Sequence, residues 1–115
     1  MRGSRPEIAL RRELHRRGLR FYAQYRKAPG TPDLAFPTQR LAVFVDGELW
    51  HGYIPERTPT AWRPKIDANC RRDDAVNREL EQMGWTVLRI REREIRRSLD
   101  RCVEVVMRSL ETSST

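Results

Sequence analysis

The apolar pattern of this chain predicts an α/β domain, a central mixed β-sheet flanked by helices. Two observations carry that expectation. Apolar spacing switches between helical, alternating and continuous stretches in the order α-β-β-β-α-β-α. Turn-forming residues (Gly18, the Pro29-Gly30 pair, Pro37 and Gly84) fall where the spacing changes. At 115 residues the chain suffices for one modest core and is too short for two.

The first helix is expected over about 5–17. Ser4 suits an N-cap, Pro6 the first turn, and Glu7 the positive end of the helix dipole. Ile8, Leu10, Leu14 and the aliphatic stem of Arg11 keep helical spacing until Gly18 stops it. The core sheet and a catalytic loop follow over about 19–62. Leu19, Phe21, Ala23 and Tyr25 alternate with polar residues, as in a half-buried strand. Ala28 to Pro32 is a loop by composition, Asp33 to Phe36 a short strand, and Pro37 to Arg40 a turn. Leu41 to Val45 is continuously apolar, which fits a central strand buried on both faces. A hairpin between these strands is expected to hold Asp33 and Asp46 at opposite ends unless Gly47 bends the chain.

Gly47 to Trp62 is irregular, and loops of this kind carry binding function. Pro64 opens a long helix over about 63–83, and Gly84 ends it. A strand at 85–90 sets Trp85, Val87 and Arg89 on one face, with Trp85 in the core. A last helix over about 94–110 aligns Ile95, Leu99, Cys102, Val106 and Leu110, and Thr112 to Thr115 should fray. Arg89, Arg91, Arg93, Arg96 and Arg97 crowd its start, an arrangement that an external anion would explain.

Charge narrows the function. Lys plus Arg number 23 against 16 Asp plus Glu, a formal +7, which favours a polyanionic partner. Only Lys27 and Lys65 are lysines, and guanidinium groups suit bidentate phosphate and guanine contacts. Cys70 and Cys102 belong to no CxxC or Cys/His cluster with zinc spacing, so two buried thiols are expected. Met1 to Pro6 is polar, unlike a signal peptide, and no apolar run could span a bilayer. The expectation is a cytoplasmic, DNA-associated bacterial protein, monomeric and independent of membranes.

The chemistry concentrates between Gly30 and Gly52. Asp33 follows Pro32 and precedes a strand, so its carboxylate is held where the backbone cannot drift. Mg²⁺ takes few protein ligands and keeps several waters, so one carboxylate and a main-chain carbonyl can suffice. His51 is the better general base of the two histidines, because His15 lies among arginines on the first helix. Asp46 is a second acidic neighbour and Glu7 a third. Trp50 and Trp62 share the irregular loop, where aromatic rings can wedge between base steps. Arg63 and Lys65 flank Pro64 and would meet the phosphate backbone.

Five ordered blocks then resemble a known family: PEIALRREL (Pro6 to Leu14), GxPD (Gly30 to Asp33), FVDGxxWHG (Phe44 to Gly52), WxxKIxxNxxRD (Trp62 to Asp73) and GWxVLRI (Gly84 to Ile90). Together they look like the very-short-patch repair (Vsr) mismatch endonucleases, a branch of the PD-(D/E)xK restriction-endonuclease-like, three-layer fold. The resemblance implies that Asp33 binds Mg²⁺ with the Val45 main-chain carbonyl. It implies that His51 activates or positions the attacking water, with Asp46 close to the scissile phosphate and Glu7 approaching from the first helix. Leu49, Trp50 and Trp62 fall where the family places apolar side chains that intercalate beside a T·G mismatch. The implied partner is double-stranded DNA, nicked 5′ to the mismatched thymine.

This sequence departs from the family's pattern in recognisable places. Glu48, Tyr53, Ile54 and Arg93 occupy the neighbourhood of the family's structural zinc ligands, so that zinc is expected to be absent. Leu49 replaces the usual aromatic, and the arm ahead of the first helix is short. The leading expectation is therefore a Mg²⁺-dependent nicking endonuclease. Beside it stand a related nuclease with a general, restriction or defence role, and a basic DNA-binding module with reduced catalysis.

Overall fold

The computed structural model describes residues 5–47 and 63–113, with the side chains of 63–70 and 112–113 left aside. The order is α1 (Arg5–Arg16), β1 (Tyr22–Ala23), β2 (Leu34–Phe36), β3 (Leu41–Asp46), α2 (Arg63–Gln82), β4 (Thr86–Arg91), α3 (Glu92–Arg97) and α4 (Leu99–Ser113). The four strands form one mixed sheet in the order β1-β2-β3-β4. β1 pairs antiparallel with β2, and β2 antiparallel with β3. β4 lies parallel to β3 after the crossover through α2. Such a crossover carries a helix across one sheet face.

Alternation along β3 builds two cores. Leu41 and Val43 join Leu34, Phe36 and Ile90 against Leu10 and Leu14 of α1, Ile95 of α3, and Cys102, Val103, Val106 and Leu110 of α4. Ala42 and Phe44 face the other way, toward Ala28 and Leu80, with Val76, Trp85 and Val87 packed around them. This is the three-layer α/β arrangement expected from the sequence. Each fully buried Leu or Val contributes about 1.5–3 kcal/mol of transfer free energy. No helix among the described residues is long and apolar enough to cross a membrane.

Three elements differ from expectation. The strand expected over 19–25 shrinks to Tyr22–Ala23, both exposed, because Gln24 turns into the left-handed region at φ +50°. The single last helix is two helices. Ser98 is extended at φ −156°, ψ 93°, and its Oγ accepts the Arg101 N–H, so it opens α4 as a cap. The arginine cluster also changes meaning. α3 starts at Glu92 with Glu94 in its first turn, leaving Arg96 and Arg97 at the C-terminal end, where the dipole favours cations. The Ser4 cap lies outside the described residues.

Candidate active site

The β2–β3 hairpin sets the site. Leu34 pairs with Val43 and Phe36 with Leu41 across the turn of Pro37 to Arg40. A chain reversal brings the start of one strand to the end of the next, so Asp33 and Asp46 share the open end of the hairpin. The expected separation is thereby overturned. The Val45 N–H donates to Asp33 Oδ2 at 2.7 Å, one residue from Asp46.

The same contact explains how a main-chain carbonyl becomes available. In an antiparallel ladder the N–H and C=O of one residue face the same edge. The Val45 carbonyl therefore faces the edge on which its N–H meets Asp33. Continuing the register places Pro32 opposite Val45, and a proline nitrogen has no proton to donate. The Pro32 carbonyl is itself turned to Tyr25, whose N–H it accepts at 2.9 Å.

Glu7 reaches this corner from α1. It is only 5% exposed, the one buried charged residue among those described. The Arg11 guanidinium pairs with it from one turn further along. The Gln24 amide nitrogen donates both to Glu7 Oε2 and to Asp33 Oδ1, each at 3.2 Å. Burial, then the facing Asp33 carboxylate, push the Glu7 carboxyl above its ordinary value against the opposing pull of Arg11. Two carboxylates from different elements thus converge on a partly desolvated edge.

Asp46 has a different environment. Arg89 Nη1 donates to its Oδ1 at 3.3 Å, and the Arg89 guanidinium lies 4.3 Å over the Phe44 ring. Arg89 Nε also donates to Asn77 Oδ1 at 2.8 Å, and Nη1 lies 3.8 Å from Asp73 Oδ2. Arg89 therefore ties the end of β3 to α2 and leaves the outward arginine cluster expected for it.

His51, Leu49, Trp50 and Trp62 lie outside the described residues, as do Glu48, Tyr53 and Ile54. Arg63 and Lys65 sit on the first turn of α2, and Arg93 lies on α3. His15 stacks on Phe21 with ring centroids 4.4 Å apart, away from Asp33. Cys102 is a free buried thiol. Among the described residues no three His, Cys, Asp or Glu side chains gather as a metal cluster. Glu7, Asp33 and the Val45 carbonyl nonetheless form an all-oxygen donor set suited to a small hard cation that keeps its own waters. Reasoning from the sequence missed Gln24 and Arg89. A polar residue in an alternating run gave no signal of turning inward, and the strand face expected for Arg89 did not name Asp46 as its partner.

Comparison with known proteins gives the family. Residues 1–57 match the family model described as DNA mismatch endonuclease Vsr. A type II nicking enzyme, V.XorIIP of Xanthomonas oryzae pv. oryzae, is 41% identical over 92 residues, covering 75% of this chain and 68% of the relative. The chain belongs to the Vsr endonuclease family. It is a DNA endonuclease. Among other Vsr-like relatives, the type II nicking enzyme V.NmeDIP of Neisseria meningitidis serogroup C is 34% identical, covering 95% of this chain and 78% of its own length. The DNA mismatch endonuclease Vsr of Escherichia coli K12 is 32% identical over 62% of this chain and 49% of its own length.

Proposed function

We propose that this Vsr-family endonuclease nicks one strand of duplex DNA by attack of water on a phosphodiester, with Mg²⁺ as cofactor and a T·G mismatch as preferred target. The carrying observation is the convergence of Glu7 and Asp33 beside the Val45 main chain. Asp33 and the Val45 carbonyl would hold the cation, with Glu7 beside them. A divalent cation bound there supplies charge neutralisation at the phosphoryl oxygens and a more acidic water. His51 accepts the proton of the attacking water, for which an imidazole is matched near neutrality. Arg63 and Lys65 hold backbone phosphates, while Leu49, Trp50 and Trp62 enter the stack beside the mismatch. Asp46 lies at the same strand end, close to the scissile phosphate. The description of the matched family supports mismatch recognition.

The names of two of the relatives favour a second reading, the same nick made within a sequence context belonging to a type II system. Labelled T·G and T·A duplexes, incubated with Mg²⁺ or with EDTA, separate the readings. Nicking confined to T·G with Mg²⁺ supports the first. Equal nicking of both duplexes within particular sequences supports the second. Binding without cleavage in any divalent metal overturns both.

A further inference from the structure

We infer that Gln24 is a positioning residue that fixes Glu7 and Asp33 as one divalent-cation site; this rests on the metal reading above. A side-chain amide nitrogen carries two hydrogens, and here both have carboxylate partners, Glu7 Oε2 and Asp33 Oδ1, each at 3.2 Å. The orientation of the amide follows from the partners. The opposite orientation would set the amide oxygen against two carboxylate groups, so the nitrogen must face them.

The backbone is shaped to deliver this contact. Gln24 stands at φ +50°, a conformation uncommon for residues other than glycine. Its own N–H donates to the Asp33 carbonyl at 3.0 Å, and the next N–H, of Tyr25, donates to the Pro32 carbonyl at 2.9 Å. The left-handed turn ends β1 and breaks the alternation that would otherwise continue along the strand. Backbone strain of this kind, kept beside a site of converging carboxylates, points to function. Tyr22 and Ala23, immediately before the turn, are exposed, so the turn is not there to bury them.

The chemistry of the bridge is specific. A lysine or arginine between Glu7 and Asp33 would neutralise them and compete with a cation. Glutamine contributes two donors and no charge, so it orients both carboxylates without adding to the pairing of Glu7 with Arg11 and leaves the Asp33 charge for the ligand. Asp33 Oδ1 keeps a further lone pair beyond its bond from Gln24, whereas Glu7 Oε2 is shared between Gln24 and Arg11. Partners that orient metal ligands in this way are worth about 10–100-fold in metal affinity.

The test uses the full chain and Mn²⁺ as the probe, followed by the electron paramagnetic resonance signal of the free ion. Gln24→Asn keeps an amide and tolerates the left-handed backbone, but is one methylene too short to span both carboxylates. Gln24→Met keeps the length and removes both donors. Each variant should bind Mn²⁺ about tenfold or more weakly. Each should also need correspondingly more Mg²⁺ for half-maximal nicking, with duplex affinity in EDTA unchanged. Thermal unfolding without metal is measured alongside, because a purely structural role would lower the melting temperature and leave Mn²⁺ affinity of the folded protein as it was. That result, or unchanged Mn²⁺ binding in either folded variant, overturns the inference alone. Failure of the wild-type chain to bind Mn²⁺ overturns the metal reading itself.

Discussion

Replacing Arg89 by methionine tests whether the end of β3 is held by charge or by packing alone. The Arg89 and Asp46 side chains are 16% and 12% exposed, so both charges are largely removed from water. Truncating one partner of a buried ion pair typically costs about 3–5 kcal/mol, because the other charge is left uncompensated. Residual solvent access and a 3.3 Å contact reduce this to about 2–3 kcal/mol. Loss of the guanidinium above Phe44 adds about 0.5–1 kcal/mol. Methionine fills much of the stem volume and returns part of that. A net loss of about 2–3 kcal/mol corresponds to a fall in Tm of roughly 8–12 °C for a domain of this size. Urea unfolding of Arg89→Met, Asp46→Asn and the double variant completes the measurement. The pair should show a coupling energy of about 1–2 kcal/mol, because the two groups touch. A loss below about 0.5 kcal/mol in Arg89→Met, or additive single effects, would refute the reasoning.

Two further outcomes follow from the same corner. Folding raises the Glu7 carboxyl above its unfolded value, so the stability it contributes is complete below the unfolded pKa and is lost as pH rises through the folded one. Gln cannot ionise, so the stability of Glu7→Gln relative to wild type should grow between acid and neutral pH, measured by urea midpoints; a pH-independent difference would count against this. Gly30 stands at φ +75°, and a Cβ there would lie 2.5 Å from Val76 Cγ1, so Gly30→Ala should cost about 1–3 kcal/mol by thermal unfolding, with α2 displaced from Phe44.

Much of the architecture was legible because it rests on local period and punctuation. The continuous apolar run at Leu41 to Val45 fitted a strand buried on both faces, and the structure splits it between two cores. Gly18 and Gly84 end their helices at φ +84° and +86°, as the spacing indicated. The break at Ser98 was hidden because Ile95 and Cys102 fall at helical spacing whether or not the helix is continuous. The short β1 was hidden for a related reason. Alternation from Leu19 to Tyr25 reports which side chains turn toward the core, and a left-handed residue at Gln24 can deliver Tyr25 to Trp85 as well as a strand can. Asp33 was legible as a carboxylate held at the head of a short strand. Its partners depend on how α1 packs against the sheet, which no local pattern encodes.

The two aspartates at the open end of the hairpin are chemically unequal, and their surroundings predict opposite phenotypes. Asp33 is contacted by the Gln24 amide and the Val45 N–H, both neutral, and faces the buried Glu7. Its negative charge is oriented but not neutralised, the condition a cation requires. Asp46 meets the Arg89 guanidinium directly, and a carboxylate held by a fixed cation is a poorer metal ligand and a poorer base. Asp33→Asn should therefore abolish Mg²⁺-dependent nicking with little loss of thermal stability, since an amide can keep one of the two neutral hydrogen bonds. Asp46→Asn should lower the melting temperature while metal affinity stays within about threefold of wild type, because its main electrostatic partner is on the protein. Mn²⁺ titration and thermal unfolding of both variants read the two effects separately. If Asp46→Asn weakens Mn²⁺ binding as much as Asp33→Asn does, the fixed guanidinium does not exclude Asp46 from the metal, and the division of labour drawn from these contacts is wrong.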